Sequence, residues 1–166
     1  MNGIDWLPEL LGVNPWGHGT YDMLYERFRT DFILSQLSYR GHRVWHFPDK
    51  EDGREAIFWH LTDREEQQRR HKVQKPTRVP DLCRSARLSW VRPMIENCPS
   101  HEILDWDIEE EGSIKTYVWL KSHDFLVLMK RYPDGARRLL TAYCLNYDNM
   151  REKLRKKYDR RLGVGT

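Results

Sequence analysis

The stretch that decides the fold spans residues 114–145 and reads IKTYVWLKSHDFLVLMKRYPDGARRLLTAYCL. Three apolar runs, 116–120, 125–129 and 138–145, are separated by Ser122-His123-Asp124 and by Pro133-Asp134-Gly135. Proline presets φ and glycine accepts positive φ, so Pro-Asp-Gly marks a turn. Runs of β-branched, aromatic and aliphatic residues between such signals read as strands. The stretch predicts an antiparallel three-strand meander.

Downstream, residues 148–161 predict a helix. Tyr147, Met150, Leu154 and Tyr158 mark its buried stripe. Its other faces carry seven cations (Arg151, Lys153, Arg155, Lys156, Lys157, Arg160, Arg161) against three acids. The helix dipole accounts for only some of these. Upstream, HEILDWDIEEE (101–111) reads as a helix-to-strand passage with an acidic end at Asp105, Asp107, Glu109, Glu110 and Glu111. Clustered carboxylates can bind Mg²⁺. Beside Gly112 they read as a turn, and no metal site is assigned.

Further back, Asp81 is a helix cap for LCRSARLSWVRPMIENC (82–98). Pro93 predicts a break near Arg92, or a helix followed by a second short one. Arg84 and Arg87, three apart, project from one helical face. Residues 62–79 lose all apolar periodicity. Across 62–88, eight cations face four acids, a surplus larger than the whole-chain net charge of +3. Such a segment is either a phosphate-contacting arm or a solvated linker. Residues 56–61, AIFWHL, and 42–47, HRVWHF, read as two strands of a hairpin turned at Asp52-Gly53. His46 and His60 lie in it. Residues 20–37 predict the first helix, with Tyr21, Leu24, Tyr25, Phe28 and Phe32 as one core stripe. Residues 1–19, rich in Gly, Pro and Trp, form a packing arm.

The chain of 166 residues is read as a single domain (1–166), an arm at 1–19 and an α+β body at 20–166. The body is an antiparallel β-sheet, the C-terminal meander plus an N-terminal hairpin, packed by an N-terminal helix, a central helix and a basic C-terminal helix. Aromatics at 12% exclude a disordered chain. Cys83, Cys98 and Cys144 have neither the number of a disulfide framework nor the spacing of a zinc site, so a reducing cytoplasm is the expected setting. No apolar run reaches the roughly 18 residues of a membrane helix, and the N-terminus lacks a signal-peptide pattern.

The order of AIFWHL, a basic loop, RSARLSWVRPMIEN (84–97), YVWLKSHDFLVLMKR (117–131), LLTAYCL (139–145) and a basic terminal helix resembles phage- and prophage-type proteins of the barnase–EndoU–colicin–RelE-like (BECR) ribonuclease fold. The resemblance covers residues 56–158. It implies metal-independent endoribonuclease activity of toxin type, without cofactor, restrained by a cognate antitoxin or immunity protein. Carried over by position, it implies His60 as general base or acid, Arg84 and Arg87 as charge clamps, and Thr141 and Tyr143 as phosphate-binding or proton-donating groups. Thr141 and Tyr143, two apart on a strand, share a face. RNA contacts are expected from Arg69, Arg70, Lys72, Lys75, Lys115, Lys153, Lys156 and Lys157. A non-catalytic phage-type module, binding a protein or RNA through its basic and Trp-rich surfaces, is the alternative.

Overall fold

Along the meander, successive side chains enter two different cores. Phe125, Val127 and Met129 join one cluster with Val118, Leu120 and Ile103. Leu126 and Leu128 join another with Trp106, Tyr117 and Trp119. This is the period-2 alternation of a sheet covered on both faces. The computed structural model describes residues 3–66 and 77–163. Strands β7 (Ile103–Glu110), β8 (Ser113–Leu120), β9 (Phe125–Arg131) and β10 (Arg137–Cys144) form the antiparallel meander. It therefore has four strands where three were expected, because the acidic passage at 101–111 is itself a strand. Glu111 (φ 51°) and Gly112 (φ 81°) close β7 onto β8. Positive φ at both central residues gives the turn whose twist matches the flanking strands.

The same turn geometry at Arg40-Gly41 closes β1 (Leu37–Tyr39) onto β2 (His42–Trp45). Strand β2 then pairs in parallel with the start of β10, Val44 opposite Arg137 and Trp45 opposite Arg138. The sheet order is β1-β2-β10-β9-β8-β7.

The first helix is shorter than its stripe suggested. Helix α1 (Thr20–Phe28) passes into a π-turn at Arg29–Ile33, where the Leu34 N–H donates to the Arg29 carbonyl at 2.9 Å. Leu37 already belongs to β1. The N-terminal hairpin is also corrected. His42–Trp45 is a strand, but its partner is β1, and residues 56–61 lie in helix α2 (Ala56–Thr62). A continuous apolar run does not distinguish a buried strand from a buried helix. This one is buried at Ile57, Phe58, Trp59, Leu61 and Thr62. Asp52-Gly53 does turn the chain, between the two-residue strands β3 (Lys50–Glu51) and β4 (Arg54–Glu55).

After α2, β5 (Asp63–Glu66) and β6 (Thr77–Pro80) pair antiparallel on either side of residues 67–76. Asp81 caps α3 (Leu82–Ala86), accepting the Arg84 N–H at 3.1 Å. The expected break at Pro93 does not occur. The break falls at Arg87, and α4 (Leu88–Glu96) runs through the proline. Leu88, Val91, Met94 and Ile95 are fully buried there, and that burial outweighs the hydrogen bond the proline removes.

The cysteine reading is corrected as well: Cys83 and Cys144, 61 residues apart, form a disulfide joining α3 to the end of β10. Cys98 is free and buried. Helix α5 (Asp148–Asp159) covers one face of the sheet with Leu154, Met150 and Tyr158, whereas Tyr147 is 69% exposed and stands outside the stripe. The N-terminal arm docks through buried Ile4, Leu7 and Val13. Its Trp6 donates to Glu102 at 2.8 Å, and its Pro8 carbonyl accepts from Trp90 at 2.8 Å. Among the described residues no helix is long and apolar enough to cross a membrane.

Candidate active-site cleft

Strand β2 covers only the first two residues of β10, so the rest of that edge is left to α2 and α3. Helix α2 ends there, and a helix end carries carbonyls with no intrahelical donor. One of them, the His60 carbonyl, accepts from Thr141 Oγ1 on β10 at 3.2 Å and from Arg84 Nη1 on α3 at 2.9 Å. The same Nη1 donates to the Asp63 carbonyl at 2.9 Å, and Arg84 Nε lies 3.4 Å from Asp81 Oδ2. The Arg84 guanidinium stands 5.9 Å from the centre of the Tyr143 ring. Four of the five residues expected to act together are thus joined: His60, Arg84, Thr141 and Tyr143.

Arg87 is not. Its Nη1 donates to the Cys83 carbonyl at 3.1 Å and lies 3.2 Å from Cys83 Sγ, and its guanidinium packs 5.0 Å over Trp90. It is the junction residue between α3 and α4 (φ −105°, ψ 10°), so the helical relation to Arg84 does not hold.

The His60 imidazole is exposed, alone among the neighbouring side chains of α2. It lines an open cleft of about 1120 Å³ whose walls include Tyr21, Trp59, Asp63, Arg78 and Arg84. Burial lowers the Arg84 pKa, opposed by Asp81, Tyr143 and Asp63. Burial raises the Tyr143 pKa, opposed by Lys157 and Arg84.

Asp63 is the residue the sequence reading missed. Its side chain is buried, yet its carboxylate belongs to the cleft wall. The Tyr21 hydroxyl lies 3.0 and 2.9 Å from its two oxygens, and Thr62 Oγ1 donates at 3.2 Å. Burial raises the Asp63 pKa, against those hydrogen bonds and the Arg78 and Arg84 charges. In the sequence it is one acid among four in a mixed-charge segment, and Tyr21 is one position of a core stripe. Nothing in spacing joins residues 42 apart. Arg78 stacks 4.5 Å from the Trp59 ring centre and pairs with Glu51 at 2.8 Å and with Asp52. The cleft is therefore mixed in charge: Arg64, Arg78 and Arg84 stand against Glu51, Asp52, Asp63 and Glu65.

The expected RNA contacts divide into three groups. Arg69, Arg70, Lys72 and Lys75 lie outside the described residues. Lys153 and Lys156 are exposed on α5. Lys157 is held by Glu110 at 2.6 Å and the Tyr117 hydroxyl at 2.9 Å, and Lys115 donates to Ser113 at 3.0 Å.

Two acids of the passage, Asp105 and Asp107, are held by neighbouring cations and hydroxyls. Asp105 accepts from Arg40 at 2.6 and 3.0 Å and from Tyr39. Asp107 accepts from Thr116 at 2.6 Å, Arg131 at 3.0 Å and Arg137 at 3.1 Å. Among the described residues no group of three or more His, Cys, Asp or Glu is placed to hold a metal ion.

A set comprising one exposed imidazole, a buried carboxylate held by a tyrosine, and arginines on one wall can exchange protons with a bound group and offset negative charge. Compared with protein-family models, curated proteins and solved structures, the chain matches none.

Proposed function

We propose that the protein is a metal-independent endoribonuclease of toxin type, with the His60 cleft as its active site. The observation that carries this reading is the convergence of Arg84 and Thr141 on the His60 carbonyl, which anchors the backbone of a residue whose exposed imidazole lines an open cleft of mixed charge. The resemblance to BECR ribonucleases supports it. In the proposed reaction the His60 imidazole takes the proton of a 2′-hydroxyl as that oxygen attacks phosphorus. The O2′–P bond forms, the P–O5′ bond breaks, and the proton held by His60 passes to the departing O5′. The product ends are a 2′,3′-cyclic phosphate and a 5′-hydroxyl.

Positioned general acid–base groups contribute about 10²–10⁴-fold. Arg84 spends Nη1 on two carbonyls, which leaves Nη2 to meet a phosphate oxygen and offset charge on the phosphorane. Tyr143 packs against the α5-side cluster with its ring 5.9 Å from the Arg84 guanidinium, outside the cleft lining, and acts as a neighbour that positions Arg84. Thr141 is a positioning residue, acting through His60. The reading calls for a cognate antitoxin or immunity protein that occludes the cleft, and the Cys83–Cys144 disulfide, a bond that persists in oxidising settings, speaks against the reducing cytoplasm expected from the cysteine pattern.

The test is incubation of RNA with the protein in EDTA. The expected result is cleavage that leaves cyclic-phosphate ends and is lost about 10²–10⁴-fold in His60→Ala. Intact RNA, or a His60→Ala protein that cleaves as well as the wild type, overturns the reading.

A further inference from the structure

We infer that the α5-side face of the sheet carries a second nucleic-acid subsite, a platform for single-stranded RNA formed by Lys115, Lys130 and Arg138 beside Trp45, Phe47 and Tyr132. This deepens the ribonuclease reading and rests on it for the identity of the strand as RNA. Register makes the row. Lys115 on β8 is directly opposite Lys130 on β9, Lys130 is opposite Arg138 on β10, and Arg138 is opposite Trp45 on β2. Their flanking residues Thr116, Met129, Leu139 and Val44 turn to the other face, with Met129, Leu139 and Val44 in the helix-covered core there. Three cations thus stand side by side on three adjacent strands, spanning about 10 Å at the usual inter-strand spacing.

Like charges directly opposite one another destabilise a sheet. Among the described residues none of the three forms an ion pair. Lys115 donates to Ser113, Arg138 Nε donates to the Tyr132 hydroxyl at 3.0 Å, and Lys130 lies 5.3 Å from the Tyr132 ring centre. Glu110 shares this face but is bonded to Lys157 and Tyr117. Glu110 also acts electrostatically on Lys115, yet three cations in a row without an ion pair are matched by an anionic ligand.

The aromatics specify which polyanion. Phe47 is 47% exposed, packs 5.4 Å from Trp45, and has the Arg138 guanidinium 4.1 Å from its ring centre. Trp45 in turn lies 5.3 Å from Tyr132. Aromatic rings beside a cationic track on a sheet are the chemistry that stacks unpaired bases and holds their backbone. A duplex offers no unstacked base to such rings. The platform also leads to the cleft. Arg138, Thr141 and Tyr143 lie on this face of β10, with a bulge between Leu139 and Thr141, and Thr141 and Tyr143 meet His60 and Arg84. The run from Arg138 to Tyr143 is about 16 Å at the rise of a strand.

The test uses a fluorescent 2′-O-methyl oligoribonucleotide of about twelve nucleotides, which has no nucleophile and so reports binding alone. For single strands each neutralised phosphate contributes a slope of about −0.7 in log K against log salt. The variant Lys115→Gln/Lys130→Gln/Arg138→Gln is expected to flatten the slope by about 2, and therefore to weaken binding about 10²-fold at 0.1 M salt. Each single variant carries about a third of that change in log K. An unchanged slope and affinity, or a wild-type protein that does not bind the oligonucleotide, overturns the platform. If the wild type binds and the triple variant does not, yet RNA is never cut, the platform stands and the nuclease reading falls. If RNA is cut and the triple variant binds as before, the platform falls and the nuclease reading stands.

Discussion

Arg84 and Arg87 are three residues apart and identical in chemistry, yet the structure gives them different work, and replacing each by methionine separates the two. Methionine keeps much of the stem and removes the donors. In Arg84→Met the Asp63 carbonyl, part-buried, loses its arginine donor, and the His60 carbonyl keeps only Thr141. A hydrogen bond to a charged group contributes about 1.5–3 kcal/mol, less where water can replace the donor, as at the exposed His60 carbonyl. The expected loss is about 2 kcal/mol. At roughly 2–4 °C per kcal/mol for a chain of this size, that is a fall of about 4–8 °C in Tm. Cleavage should fall further than stability, because the end of α2 that carries His60 loses an anchor and the phosphate-facing donors are gone.

In Arg87→Met the lost partners are the Cys83 carbonyl and the Trp90 ring, at a similar cost of about 1–2 kcal/mol. Cleavage by the folded protein should stay within about twofold of wild type. The assays are urea unfolding at pH 7 and single-turnover cleavage of a labelled RNA at a temperature where both variants are folded. Equal loss of cleavage in the two variants, or an Arg84→Met protein of wild-type rate, refutes the reasoning.

Three further outcomes follow from particular contacts. The Cys83–Cys144 bond closes a loop of 61 residues, so chain entropy assigns it about 4 kcal/mol; a dithiol reductant should lower the unfolding midpoint, and Cys83→Ser/Cys144→Ser should match the reduced wild type and ignore the reductant. Burial raises the Asp63 pKa, so the folded state holds that proton more tightly than the unfolded chain and the ionised carboxylate costs stability as pH rises above the ordinary aspartate value of about 3.9. Asp63→Asn should therefore gain on the wild type in Tm between pH 4 and pH 7, and a constant difference across that range would count against the assignment. Glu110 behaves oppositely: burial alone would raise its pKa, but the Lys157 and Tyr117 bonds outweigh it and bring it down. Its contribution is present above about pH 4.3 and is lost as pH falls through the depressed value, so Glu110→Gln should flatten the acid side of the stability profile measured by thermal melts from pH 2 to pH 6.

Three strands of the meander were legible because they are short apolar runs bounded by turn signals, Ser122-His123-Asp124 and Pro133-Asp134-Gly135. The Arg40-Gly41 turn carries the same kind of signal, but it follows an apolar stripe that continues past Ile33, and the stripe masked the start of β1. AIFWHL was misread for a different reason. Its apolar side chains are buried on several sides with only His60 exposed, so it has no clear periodicity to display, and its tertiary neighbours decide that it is a helix. Pro93 sits inside α4 because four fully buried side chains hold the helix together around it.

The site was partly legible. His60, Arg84, Thr141 and Tyr143 come from three elements, and the family resemblance, rather than spacing, brought them together. Arg87 was misplaced because its helical register ends one residue early. Asp63 was invisible because its significance lies in a hydroxyl from Tyr21, across the chain from it.

The most direct measurement is the chemistry at the ends of RNA exposed to the protein in EDTA, read alongside His60→Gln. The account predicts fragments ending in 2′,3′-cyclic phosphate and 5′-hydroxyl, with the glutamine variant slowed about 10²–10⁴-fold. RNA left intact by the wild type, or fragments ending in 5′-phosphate, would contradict it.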